Sequence, residues 1–173
     1  FHSHNSRACL RIVSAITPTP AGEGKTTTSV NLAAALALAP KRVLLVDLDA
    51  QGNATMGSGV DKRDLAGSTC DVMLEEMHAA DAIVRTPEGF DLLPGNSDLT
   101  AAEIELMDEP GREQRLRRAL EPLRERYDFI LVDCPPALSL LTLNALTAAD
   151  SILVPMQCEY YALEGLSALI DTI

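Results

Sequence analysis

The chain has 173 residues, 47% hydrophobic and 23% charged, which suits one globular domain with its own core. Its net charge of −11 and pI near 4.6 argue against nucleic-acid binding by bulk charge, while leaving room for a local basic patch. No apolar run approaches the roughly 18 residues of a membrane span, and the start lacks a signal-peptide pattern, so no membrane partner is expected.

Residues 1–9 carry no periodicity and read as a tail, with the folded domain over 10–173. Residues 10–17 predict a first strand, and 26–39 a helix stopped by Pro40. Residues 42–49 form a continuous apolar run, the mark of a strand buried on both faces of a parallel sheet. Residues 50–64 are rich in Gly, Asn and Asp and read as a loop; 70–77 and 79–84 read as short helical pieces, and 89–95 as a short strand with a turn. Thr100 and Glu103 have capping-box spacing at the start of a helix with Leu99, Ala102 and Leu106 on one face. Residues 112–126 predict a single amphipathic helix with Leu116, Leu120, Leu123 and Tyr127 as its core stripe. The opposite face carries Arg112, Arg115, Arg117, Arg118, Arg124 and Arg126, interrupted by Glu113, Glu121 and Glu125, and reads as a solvated face. A strand over 127–134, a helix over 138–148, a strand over 150–155 and a helix over 161–173 complete the chain. Strands alternating with helices indicate an α/β fold, an open, mostly parallel, doubly wound sheet with helices on both faces. Cys9, Cys70, Cys134 and Cys158 lack C-x-x-C spacing and fit buried, reduced thiols of a cytoplasmic protein.

Between the first strand and the first helix lies Thr17-Pro18-Thr19-Pro20-Ala21-Gly22-Glu23-Gly24-Lys25-Thr26-Thr27-Thr28. Strand, glycine turn ending in Gly-Lys-Thr, then helix is the context a phosphate-binding loop requires. Backbone N–H groups of Ala21, Gly22, Glu23, Gly24, Lys25, Thr26 and Thr27 would cradle phosphate at the helix N-terminus. Lys25 would reach the terminal phosphates, and the Thr26 hydroxyl would ligate the accompanying Mg²⁺. The loop is irregular: Thr19 stands where the general pattern has Gly, Pro18 and Pro20 donate no N–H, and Glu23 brings a carboxylate into an anion site.

Asp133 closes an apolar strand, where a Walker B aspartate would sit opposite Thr26. Asp47 and Asp49 end another strand, and alternation puts both on one side. One carboxylate there would orient water for attack on a γ-phosphate, and the other would support the metal or Lys25. Gly52 and Asn53 begin one candidate switch loop, and Pro135 and Pro136 begin a second.

Residues 43–55 (Val-Leu-Leu-Val-Asp-Leu-Asp-Ala-Gln-Gly-Asn-Ala-Thr) resemble the signature that follows the P-loop in ParA/Soj chromosome- and plasmid-partitioning ATPases. Residues 129–136 and 154–166 are similar to the family's later motifs, in the same order. The resemblance implies an ATP-dependent sandwich homodimer, Mg²⁺ as cofactor, non-specific DNA binding by the dimer, a ParB-type activator and a nucleoid-associated cytoplasmic location. By motif position it implies Lys25 and Asp49 as catalytic residues, Thr26, Asp47 and Asp133 at the metal, and Asp49 positioning the attacking water. The family's loop reads Lys-Gly-Gly-x-Gly-Lys-Thr, its first lysine reaching the partner's nucleotide; here Pro20 and Ala21 occupy the first two places. Residues 15–28 instead resemble the nucleotide loop of formate–tetrahydrofolate ligases, which makes a folate-linked ligase one alternative. A nucleotide-binding module with little turnover is another, and the family's greater usual length suggests that its C-terminal part is missing.

Overall fold

The computed structural model describes residues 11–15, 24–62, 65–137 and 139–154. Among them six strands form one sheet: β1 (Arg11–Ala15), β2 (Val43–Asp47), β3 (Val84–Arg85), β4 (Asp91–Leu93), β5 (Phe129–Asp133) and β6 (Ser151–Leu153). Their order is β3-β4-β2-β5-β1-β6, all parallel except the β3–β4 pair at one edge. The helices are α1 (Lys25–Leu38), α2 (Asn53–Gly57), α3 (Thr69–Met73), α4 (Ala79–Ala82), α5 (Leu99–Glu105), α6 (Arg115–Leu120) and α7 (Leu140–Ala148).

Alternation along β2 divides the core in two. Leu44, Val46, Ile130, Val132 and Leu93 face one way and pack with Met73, Ala102, Leu116, Leu120 and Ala145 from α3, α5, α6 and α7. Val43, Leu45, Leu131 and Leu92 face the other way, where Ala33 of α1, Ala54 of α2 and Phe90 cover them. Both faces of β2 are therefore buried, which explains its unbroken apolar run and bears out a doubly wound sheet. No helix among the described residues is long and apolar enough to cross a membrane.

Several local expectations are corrected. The reading of 50–64 as loop misses α2, which starts after Gly52 in left-handed geometry at φ 57°. The second helical piece ends at Ala82, and Val84–Arg85 pairs as a strand with β4. Thr100 and Glu103 form no capping box: α5 begins at Leu99, and the Glu103 carboxylate instead accepts the Leu140 N–H at 2.8 Å, at the start of α7. The capping box lies at Ser68 and Asp71, ahead of α3. The helix expected over 112–126 is three pieces, with 3-10 turns at Arg112–Gln114 and Glu121–Leu123 flanking α6. Pro122 has no N–H to continue α6, and Asn144 of α7 takes the Leu116 N–H and the Arg112 carbonyl for itself. The stripe of Leu116, Leu120, Leu123 and Tyr127 is nevertheless buried as expected. Arg115 leaves the solvated face, turning inward to Glu75 and Glu109 at 2.5 and 3.4 Å. Cys70 and Cys134 are buried free thiols, and burial pushes the Cys70 thiol up to about 11. The tail over 1–9, the Ala21–Gly22–Glu23 segment, Cys9, Cys158 and the last helix lie outside the described residues.

Candidate nucleotide-binding site

β1 and β5 lie side by side with Ala15 opposite Asp133, and β2 brings Asp47 opposite Asp133 from the other side. Three parallel strands thus end on one edge, where an open α/β sheet offers its binding crevice. The helix following β1 begins there. Gly24 sits at its N-cap with φ 97°, a backbone that L side chains rarely adopt, and among the described residues no side chain caps the first turn. A helix start of this kind can offer its first N–H groups to an anion.

Lys25 is the first residue of α1 and is 2% exposed, and among the described residues its ammonium donates to the Cys134 main-chain carbonyl. The nearby Asp133 carboxylate offsets part of that buried charge, and an anionic ligand would offset more of it. Thr26 donates its hydroxyl to Asp133 Oδ2 at 2.8 Å, and Ser29, one turn further along α1, donates to Asp133 Oδ1 at 3.0 Å. Asp133 itself is 0% exposed. Burial raises its pKa and Asp49 adds to that, while Lys25, Thr26 and Ser29 oppose the rise. Thr27 is exposed on the first turn of α1.

Asp47 is also 0% exposed. Its Oδ2 accepts the Thr55 N–H at 2.8 Å and the Thr55 hydroxyl at 2.7 Å, while Oδ1 accepts the Asp49 N–H at 3.2 Å. Burial pushes this carboxyl up to about 6, against the pull of the Thr55 hydrogen bonds. Asp49 stands two residues past the strand, held by its carbonyl to the Gly52 N–H at 2.8 Å and by Oδ1 to the Gln51 N–H at 3.0 Å. Gly52 forms the turn into α2 and Asn53 starts that helix, exposed; Pro135 is half-buried and Pro136 exposed after β5. The Lys62 ammonium reaches the Gln51 carbonyl from beyond α2.

Lys25, Thr26, Asp47, Asp49 and Asp133 are thus gathered at one crevice, as the spacing predicts. Ser29, Thr55 and Gly95 were missed. Ser29 had a signal, since it lies three residues from Thr26 on the same helical face. Thr55 closes the signature over 43–55, yet nothing local shows that it turns onto Asp47, because 50–64 reads as a loop. Thr26 and the carboxylates offer only hard oxygen donors, and no cluster of three or more metal-ligating side chains exists among the described residues. That donor set fits an ion like Mg²⁺, which keeps water and phosphate oxygens rather than entering an all-protein cage.

A family model described as an AAA domain matches residues 11–173. The chain is 54% identical over 160 residues to the sporulation initiation inhibitor protein Soj of Bacillus subtilis, covering 92% of this chain and 63% of that protein. It is 52% identical over 153 residues to the chromosome partitioning protein ParA of Myxococcus xanthus, covering 88% of this chain and 54% of that protein. Among solved structures, cobyrinic acid a,c-diamide synthase of Mycobacterium smegmatis with bound ATP analogue and magnesium is similar, with TM-score 0.89 and 43% identity over 95% of this chain and 67% of that one. The chain spans about three-fifths of the length of the curated relatives it matches. The chain belongs to the AAA-domain family and, within it, to the ParA/Soj type.

Proposed function

We propose that this chain is the nucleotide-handling part of a ParA/Soj-type partitioning ATPase, binding ATP with Mg²⁺ and hydrolysing it slowly. The observation that carries the reading is the joining of Thr26 and Ser29 to Asp133, next to the buried Lys25. Phosphate would meet the open first turn of α1 and draw Lys25 from the Cys134 carbonyl, exchanging a neutral acceptor for an anionic one. Thr26 would hold Mg²⁺ directly, with Asp133 orienting the Thr26 hydroxyl and Asp47 supporting the site from behind; bound Mg²⁺ would neutralise charge on the phosphates. Ala21, Gly22 and Glu23 would complete the cradle with Gly24 and Thr27. Asp49, whose Oδ2 accepts no hydrogen bond from the described residues, would orient the attacking water. Gly52–Asn53 and Pro135–Pro136 would respond to the γ-phosphate, making the ATP state the one that dimerises. Non-specific DNA, a ParB-type activator and a nucleoid-associated cytoplasmic setting belong to the same reading through the relationship to Soj and ParA.

Slow turnover follows from Pro20, which stands where the family has a lysine that crosses the dimer. Removing a trans cation of this kind costs on the order of 10³–10⁵ in rate where finger-type arginines supply it. The test is ATP affinity measured beside single-turnover hydrolysis in the parent and in Lys25→Ala. Unchanged affinity and hydrolysis in Lys25→Ala would sink the proposal, and binding without turnover in the parent would leave a nucleotide-binding module. Pro20→Lys with Ala21→Gly is expected to raise both ATP-dependent dimerisation and rate.

A further inference from the structure

Asp47 is sealed from solvent and has both carboxylate oxygens committed. Oδ2 takes two donors from one residue, Thr55, and Oδ1 takes the Asp49 N–H. The Thr55 hydroxyl has one proton. The 2.7 Å contact to Asp47 Oδ2 takes it in preference to the Gly95 carbonyl at 3.5 Å. Its oxygen meanwhile accepts the Gly95 N–H at 2.9 Å. Gly95 packs directly on this group: a Cβ there would lie 2.8 Å from the Asp47 carbonyl and 2.9 Å from its Cγ. A continuous path of hydrogen bonds therefore runs from the turn after β4, through Thr55 and Asp47, to the backbone of Asp49.

From this geometry we infer that Thr55 is a positioning residue for Asp49, acting through the Asp47 carboxylate. The inference rests on the proposed role of Asp49 in hydrolysis. Two donors on Oδ2 fix rotation of the Asp47 carboxylate, and only in that rotation does Oδ1 face the Asp49 N–H. Without the Thr55 hydroxyl one of the two donors is lost, the carboxylate turns more freely, and Asp49 keeps its tie to Gly52 but loses the anchor on its own amide. Water-orienting groups held about 1 Å out of place cost catalysis far more than they cost binding. Thr55 itself sits on α2 and makes no contact with phosphate in this scheme, so its loss acts on rate and not on ATP affinity.

The experiment compares the full chain with Thr55→Val, which keeps the shape and removes the hydroxyl, and Thr55→Ser, which keeps the hydroxyl. Amide hydrogen exchange at Asp49 is read beside ATP affinity and single-turnover hydrolysis. The expected result is that Thr55→Val speeds exchange at Asp49 and Gly95 at least tenfold and slows hydrolysis at least tenfold. ATP affinity should stay within about threefold, the Leu45 amide should exchange as in the parent, and Thr55→Ser should restore both values. Unchanged exchange at Asp49 in Thr55→Val overturns the inference, as does an equal loss in Thr55→Ser. Asp49→Asn is the separate control: full activity there removes Asp49 from hydrolysis, while the exchange data still decide whether Thr55 holds its backbone.

Discussion

Thr26 and Asp133, 107 residues apart in sequence, are joined by a 2.8 Å hydrogen bond at the carboxyl ends of β1 and β5. The pair puts the Thr26 hydroxyl and the strand-end carboxylate in one place. In Thr26→Ala the Mg²⁺-dependent gain in ATP affinity should fall roughly tenfold or more, since the charge-assisted hydrogen bond and the proposed metal donor are lost together. Titrating a fluorescent ATP analogue with Mg²⁺ and then with a chelator checks this. A Thr26→Ala protein that retains the full Mg²⁺ increment would remove Thr26 from the metal.

The parts of the site that could be read in the sequence are those fixed by chain-local rules. Lys25 and Thr26 are set by the loop, and Asp47 and Asp133 by the ends of strands whose two-sided burial writes itself as a continuous apolar run. What escaped reading depends on distant partners. Thr55 matters because the fold carries it back onto Asp47, and Gly95 because another strand end is pressed against the same carboxylate. The helix expected over 112–126 is broken once by a distant partner, Asn144, which pairs with backbone groups at its start, and once by a local signal, Pro122, which ends its hydrogen bonding. Glu103 had the spacing of a cap but serves α7 instead of its own helix.

Asn144 caps α6 from outside. Its Oδ1 accepts the Leu116 N–H at 3.1 Å, while its Nδ2 donates to the Arg112 and Leu140 carbonyls at 2.8 and 3.0 Å. The residue is 0% exposed, so water cannot replace it. Asn144→Leu strands the Leu116 N–H and the Arg112 carbonyl and should cost roughly 2–4 kcal/mol. Urea unfolding measures it, and a change below about 0.5 kcal/mol would show that α6 does not need this cap.

The pH dependence of stability carries two opposite contributions. Hydrogen bonds from the Arg42 side chain and N–H hold Asp128 down to about 2. Its folded value lies below the unfolded one near 3.9, so its stabilisation is present above about pH 4 and lost as pH falls towards 2. Asp47 has the reverse sign: raised to about 6, its charge weakens the fold increasingly as pH climbs from about 4 to 6. Comparing the parent with Asp128→Asn isolates the first effect. The parent should be the more stable at pH 7, and the gap should close towards pH 2 and shrink in 1 M salt, because the Arg42 and Asp128 side chains are 59% and 28% exposed. A gap independent of pH would mean the ion pair is not its source.

Gly95 tests how tightly the Asp47 environment is packed. Its backbone is not in the left-handed region, so Ala is excluded by space alone, with a Cβ 2.8 Å from the Asp47 carbonyl oxygen and 3.1 Å from Oδ1. A main-chain carbonyl in the middle of the sheet edge cannot swing aside as a flexible side chain would. Gly95→Ala should therefore destabilise by roughly 1–3 kcal/mol, the usual cost of overpacking, and disturb Asp49 as well. Gly57, at the end of α2, is the control: among the described residues a Cβ there would meet only Val30 Cγ2 at 3.7 Å, an ordinary contact. Gly57→Ala should be neutral or stabilising by up to about 1 kcal/mol, through helix propensity and a less free unfolded chain. Paired urea titrations decide it. Equal effects from the two substitutions would mean that Asp47 has room to move, and the path from Gly95 to Asp49 would lose its rigidity.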